Sequence, residues 1–136
     1  MARTFTSPCY CTNIRRIGSI LTDFYDSTLA PVGVNAAQFC LLRNLERIEK
    51  GNLTVWAEQT GIERSTMVRN VRRLENLELV EQVKGRGKVY TLSEKGRQCL
   101  DAGAVLWETA QKKIEHTLGT DYAEALLVIG QKIQAL

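Results

Sequence analysis

The stretch from Asn52 to Leu92 constrains the fold more than any other part of the chain. Met67, Val68, Val71, Leu74 and Leu77 recur at helical spacing, so at about 100° per residue they share one broad face. That predicts an amphipathic helix over about residues 64–77, whose other face carries Ser65, Thr66, Arg69, Arg72, Arg73 and Asn76. A shorter helix is expected over about residues 54–59. Between the two lies Thr60-Gly61, where glycine can take the left-handed conformation that ends a helix at little cost. Downstream, Leu79–Val83 and Lys88–Leu92 are β-prone runs of near-alternating polarity around Gly85-Arg86-Gly87, the pattern of a hairpin.

Two helices joined by a tight turn and followed at once by a hairpin describe a winged helix-turn-helix. In that arrangement the second helix can enter a DNA major groove while its polar side chains reach base edges and phosphates. Charge follows the same layout. From Arg64 to Lys88 there are seven basic and three acidic side chains, an excess larger than the +3 of the whole chain. Lys84, Arg86 and Lys88 put positive charge at the wing tip, within reach of backbone or a minor groove.

The flanks read as helices. Ile14, Ile17, Ile20-Leu21, Phe24-Tyr25 and Leu29 step at three and four, giving a first helix over about 11–29 that Pro31 and Gly33 end. A second helix is expected over about 35–48, with Asn35 as its N-cap and Gly51 as its stop. After the hairpin, Ser93 is the expected N-cap of a long helix to Leu118, and a last helix runs from about Asp121 to Leu136 after Gly119. Residues 1–8 look like a short lead. The terminal helices carry apolar faces far in sequence from the winged core, and the simplest burial is against each other and a second copy.

The ordered set of residues resembles the MarR (multiple antibiotic resistance regulator) family of bacterial transcription factors. The resemblance spans about Ile14 to Leu118. It is carried by Ala37-Gln38-Phe39-Cys40-Leu41-Leu42, Gly61-Ile62-Glu63-Arg64-Ser65-Thr66 with Arg69, Arg73-Leu74-Glu75, Leu79-Val80-Glu81 and Leu92-Ser93-Glu94-Lys95-Gly96-Arg97. It implies a mainly α fold with a small β-hairpin wing in a single domain over 1–136. Residues of about 11–33 and 93–136 would form dimerisation helices, and about 34–92 a winged DNA-binding lobe. It implies a homodimer on double-stranded, pseudo-palindromic operator DNA, a repressor released by a small aromatic or oxidant effector. On the same basis Ser65, Thr66, Arg69 and Asn70 fall where the family's recognition helix faces DNA. Arg73 falls at a frequently basic position and Arg86 at the wing-tip arginine. One departure is Lys84, where the family usually has an aspartate that pairs with that arginine. With Arg64, Lys84 and Lys88 these residues make up the expected DNA-binding set.

Four cysteines remain. Cys40 sits in the apolar stripe of the second helix and Cys99 beside Leu100, so both are expected to be buried small hydrophobes. Cys9-Tyr10-Cys11 stands at the entrance of the first helix, where the helix dipole, Arg15 and Arg16 favour thiolate. Cys11 lies fourteen residues before Tyr25, a spacing that resembles the peroxide-sensing cysteine of the organic-hydroperoxide-resistance branch of the same family. A redox-sensing repressor using Cys11, with Cys9 beside it, is therefore the alternative reading. A winged helix serving as a protein-interaction module is a third, but such a face should carry apolar anchors where this one carries arginines.

An enzyme is not expected. One histidine (His116), no glycine-rich phosphate loop, no serine elbow and no metal-spaced ligand set leave no catalytic residue, metal or cofactor to assign. His116 reads as a surface or interface residue. Trp56 and Trp107 read as core, with Trp107 near any cavity between the terminal helices and the winged lobe. No apolar run is long enough to span a bilayer and the first residues lack a signal-peptide core, so a cytoplasmic protein is expected.

Overall fold

A computed structural model describes residues 7–85 and 88–136. Its elements run α1 (Tyr10–Leu29), one 3-10 turn (Ala30–Val32), α2 (Ala36–Ile48), β1 (Gly51–Asn52), α3 (Leu53–Thr60), α4 (Arg64–Asn76), β2 (Val80–Gln82), β3 (Val89–Leu92), α5 (Glu94–Leu118) and α6 (Thr120–Ile133). The mainly helical winged architecture expected from the sequence is present, with every expected helix. The last one ends earlier, at Ile133.

Local chemistry sets the boundaries. Asn35 and Gln38 form a reciprocal capping box at the start of α2, with Asn35 Oδ1 accepting from the Gln38 N–H at 2.9 Å and Gln38 Oε1 from the Asn35 N–H at 3.0 Å. Asp26 on α1 adds a third tie by accepting from the Ala36 N–H at 2.8 Å. Asn52 caps α3 through the Val55 N–H at 2.8 Å, and Gly61 ends it at φ 69°. Helix α4 ends in a Schellman-type turn: Leu79 N–H reaches the Leu74 carbonyl, and Glu78 holds the left-handed position at φ 61°.

The sheet has three antiparallel strands in the order β1-β3-β2. Val80 pairs with Leu92 and Gln82 with Tyr90 across the hairpin, while Gly51 pairs with Tyr90 and Asn52 with Val89. The sequence reading foresaw β2 and β3 but not β1, a two-residue strand of glycine and asparagine with no β-propensity of its own.

The core lies inside the winged lobe. Phe39, Leu41, Leu42, Leu45, Trp56, Met67, Val71, Leu74, Val80, Tyr90 and Leu92 are buried together, and Leu100 of α5 joins them. Trp56 is fully buried, and its indole N–H donates to the Leu41 carbonyl at 3.0 Å, which satisfies its one polar atom. Two glycines let α5 approach this lobe. A Cβ on Gly96 would stand 2.0 Å from the Leu79 carbonyl oxygen, and one on Gly103 would stand 2.7 Å from the Phe39 ring. Helix α1 packs along α5, and α6 folds back on α5.

Candidate nucleic-acid interface

Helix α4 is positioned by its apolar face. Met67, Val71 and Leu74 are buried, Val68 and Leu77 half-buried, as their spacing predicts. This orients Arg64, Ser65, Arg69, Arg72 and Arg73 to solvent on the far side, with Thr66 and Asn70 half-buried at its margin. Several of these side chains are held in place. The Arg64 guanidinium donates to Thr54 Oγ1 of α3 at 3.1 Å, linking the two helices of the motif. The Ser65 hydroxyl donates to Glu63 Oε1 at 2.8 Å, and Arg69 donates to Thr66 Oγ1 at 3.4 Å. Asn70 turns its amide back onto its own helix, donating to the Thr66 carbonyl at 3.1 Å, so that group is already engaged.

The wing stands beside this face. Lys84 and Lys88 are exposed on the loop that joins β2 and β3. Arg86 and Gly87 lie outside the described residues. At the base of the wing, Tyr90 Oη accepts from Gln82 at 3.2 Å and donates to Glu75 of α4 at 3.4 Å, and its ring packs against Trp56. The hairpin is thereby tied to α4.

Two expectations for the cysteines are corrected. Cys40 is exposed, not buried, because α2 turns its buried side to Phe39, Leu41, Leu42 and Leu45 and leaves position 40 outside. Cys99 is half-buried, and its thiol donates to the Val32 carbonyl at 3.4 Å. Packing pushes both thiols above the ordinary range, partly opposed by Arg43 at Cys40 and by Lys95 at Cys99. Cys9 and Cys11 are both exposed. Cys9 occupies the N-cap of α1 without closing a cap bond, yet the Thr12 hydroxyl, then the Thr12 and Cys11 N–H groups, hold its thiol below the ordinary range.

Trp56 is core, but Trp107 is only half-buried, with the Arg43 guanidinium 4.4 Å from its ring centre and 5.8 Å from that of Phe39. Nearby, Tyr25 of α1 donates to Gln111 Oε1 of α5. Burial first, then the neighbouring Cys40 and Glu115, raises the Tyr25 phenol. His116 is exposed. Among the described residues no three His, Cys, Asp or Glu side chains cluster to hold a metal ion, and no helix is long and apolar enough to cross a membrane.

Compared by sequence, the chain matches no family model and no curated protein. Compared by structure, it is similar to the transcriptional repressor CouR bound to p-coumaroyl-CoA, at 25% identity and a TM-score of 0.87, covering 98% of both chains. It is also similar to the transcriptional regulator MosR of M. tuberculosis, at 27% identity and a TM-score of 0.81 over 96% of this chain and 98% of that one. A MosR structure in complex with DNA superposes with a TM-score of 0.78 at 26% identity, over 93% of this chain and 97% of that one. These neighbours are regulators of transcription, not enzymes. Over nearly its whole length, then, the chain shares the winged helix-turn-helix fold of these transcriptional regulators.

Proposed function

We propose that the protein is a dimeric, DNA-binding transcriptional regulator, a repressor released by a small-molecule effector. One observation carries the reading: the exposed face of α4 presents Arg64, Ser65, Arg69 and Arg73, with Thr66 at its margin, on a fold shared with regulators solved on DNA. Arg69, Ser65 and Thr66 read base edges in the major groove. Arg64, held by Thr54, joins Arg73, Lys84, Arg86 and Lys88 in contacting phosphates. Asn70 donates one amide N–H to the Thr66 carbonyl and keeps its second N–H and its oxygen for a DNA contact at the margin of the face.

In this reading residues of about 34–92 form the DNA-binding lobe, and those of about 11–33 and 93–136 join two copies. Two copies related by a two-fold axis meet a pseudo-palindromic operator. CouR binds an acyl-CoA, and a BpsR structure concerns regulation of DNA binding by 6-hydroxynicotinic acid. An aromatic acid or its thioester is accordingly the class of effector to test first.

The test is fluorescence anisotropy of the purified protein on its own upstream DNA across a salt series. Salt-sensitive binding of two protomers per site supports the reading, and the log–log slope of about −0.9 per phosphate counts the ionic contacts. Arg69→Ala should cost about 1–3 kcal/mol on the preferred sequence only. Lys84→Ala or Lys88→Ala should weaken all sequences alike and reduce the slope by about one. Failure to bind that fragment or any genomic fragment would favour a protein-interaction module instead.

A second reading is favoured by the Cys9 thiol: release by oxidation. The sequence points to Cys11; both thiols are exposed, and that of Cys9 is held below its ordinary range. In this reading a hydroperoxide converts the Cys9 thiolate to a sulfenic acid and leaves as the alcohol. Release of DNA by an organic hydroperoxide, lost in Cys9→Ser, would support it. Release that survives in Cys9→Ser but not in Cys11→Ser would return the role to Cys11.

A further inference from the structure

Glu63 stands at the leading end of α4, between the turn of the motif and the basic face. It occupies the N-cap position, where Asn, Asp, Ser or Thr best satisfies the first helical N–H groups. Helices α2, α3 and α5 follow that rule through the side chains of Asn35, Asn52 and Ser93. Glu63 closes no such bond; its carboxylate accepts from the Ser65 hydroxyl at 2.8 Å instead. Both residues are exposed on the side that carries Arg64 and Arg69.

The chemistry of this pair is one-sided. Ser65 has a single hydroxyl proton and directs it at Glu63, so what the pair shows to the outside is acceptor oxygens with a net negative charge. Phosphates, which are also acceptors and anionic, repel such a group. The donors a major groove offers are the amino groups of cytosine and adenine. Adenine sets its N7 acceptor beside that amino group, which opposes the second carboxylate oxygen. Cytosine has no acceptor at that place. We propose that Glu63 is a specificity-determining residue of the DNA interface, accepting from the N4 amino group of a cytosine while Ser65 fixes its orientation. The inference rests on the DNA-binding reading of α4 and adds to it a residue that the basic face alone does not suggest. Its acid also makes every non-cognate register less favourable, so it sharpens selection at some loss of overall affinity.

The experiment begins by selecting the wild-type protein's preferred duplex from a random-sequence DNA library. Anisotropy is then measured on that duplex and on every single base-pair substitution, for the wild type, Glu63→Ala and Glu63→Gln. The wild type should lose about tenfold or more at one C·G pair. In Glu63→Ala that preference should vanish, with the profile elsewhere unchanged and affinity for unrelated duplex increased. In Glu63→Gln the preference at the same pair should move toward adenine, which a glutamine amide matches bidentately. Thermal midpoints equal to wild type establish that both variants fold, as an exposed, non-capping residue allows. A uniform gain on all sequences, meaning charge repulsion alone, would overturn the proposal, as would unchanged profiles in both variants. Failure of the wild type to select any sequence would overturn the DNA-binding reading itself, before any variant is compared.

Discussion

Ser93 joins the two halves of the protein through three hydrogen bonds. Its hydroxyl accepts from the Gly96 N–H at 2.9 Å, capping α5, and donates to the Glu78 carbonyl at 2.6 Å, closing the turn after α4. Its own N–H reaches the Leu79 carbonyl at 3.1 Å. Ser93→Ala removes the cap and leaves the Glu78 carbonyl without its part-buried donor, so denaturant unfolding should show a loss of about 1–3 kcal/mol. One turn further, Gly96→Ala would press a methyl into the Leu79 backbone, and a backbone atom cannot rotate away as a side chain can. The expected loss is about 3 kcal/mol, the upper range for overpacking. Glu78 should show the opposite sign. It holds a left-handed φ of 61° at the end of α4, where both the Cβ and the negative charge beside the helix C-terminus are unfavourable. Glu78→Gly should therefore raise stability by about 0.5–1 kcal/mol, with its carbonyl still available to Ser93. The Cys9 thiol gives a residue-scale pH prediction. Its lowered pKa means that thiolate appears at lower pH than for an ordinary thiol, so iodoacetamide labelling at neutral pH should modify Cys9 ahead of Cys40 and Cys99, whose pKa values are raised. Equal labelling of the three would contradict it.

At the scale of the element, helices were legible where an apolar stripe and a cap agreed. Helix α4 announced its buried face through Met67, Val71 and Leu74, and α2 and α5 announced their starts through Asn35 and Ser93. Strand β1 was not legible, because Gly51-Asn52 pairs only where β3 has been delivered by a distant part of the chain. The same limit explains Cys40. A stripe seen in sequence has no sharp edge, and only the packing of α2 decides that position 40 falls outside it. For the candidate interface, residue types and spacing placed the basic face, but not the local bonds that restrain it. Asn70 adjoins Arg69 in sequence and differs in structure: it is half-buried and donates to the Thr66 carbonyl of its own helix, whereas Arg69 is exposed. Asn70→Ala should consequently change operator affinity by less than about 0.5 kcal/mol, in the range of ordinary surface substitutions, against the larger loss expected for Arg69→Ala. A loss as large as that of Arg69 in the same anisotropy titration would mean that Asn70 swings out to contact a base.

On the scale of the whole molecule, the terminal helices pose the question of what covers them. The single chain exposes 9851 Å², whereas a compact monomer of its 15.3 kDa exposes roughly 7,100 Å². Apolar side chains stand exposed along the terminal helices. Ile14, Ile17 and Ile20 of α1, Leu118 of α5, and Tyr122, Leu126, Leu127, Val128, Ile129 and Ile133 of α6 are all exposed. Four consecutive apolar residues, Leu126 to Ile129, reach most of the way around α6, and among the described residues that helix contributes none to the core. A helix with so broad an apolar surface is one that packs against neighbours on more than one side. Helices α1, α5 and α6 also leave an open groove of about 360 Å³ between them, lined by Leu21, Ile114, Leu118 and Leu127 together with polar groups such as Tyr25, Gln111 and Glu115. In the proposed dimer a second copy covers this surface with matching helices. The winged lobe keeps its own core in this arrangement, so dimer and lobe can be separated by mutation. Leu127→Asp combined with Ile133→Asp should yield a monomer by sedimentation equilibrium, and Trp56 should remain buried by its fluorescence. Operator affinity should drop at least a hundredfold, because one lobe alone contacts only a half-site and loses the effective concentration that the second provides. If the doubly substituted protein stays dimeric, the copies meet elsewhere; if it is monomeric and binds the full operator undiminished, pairing is not how the protein recognises DNA.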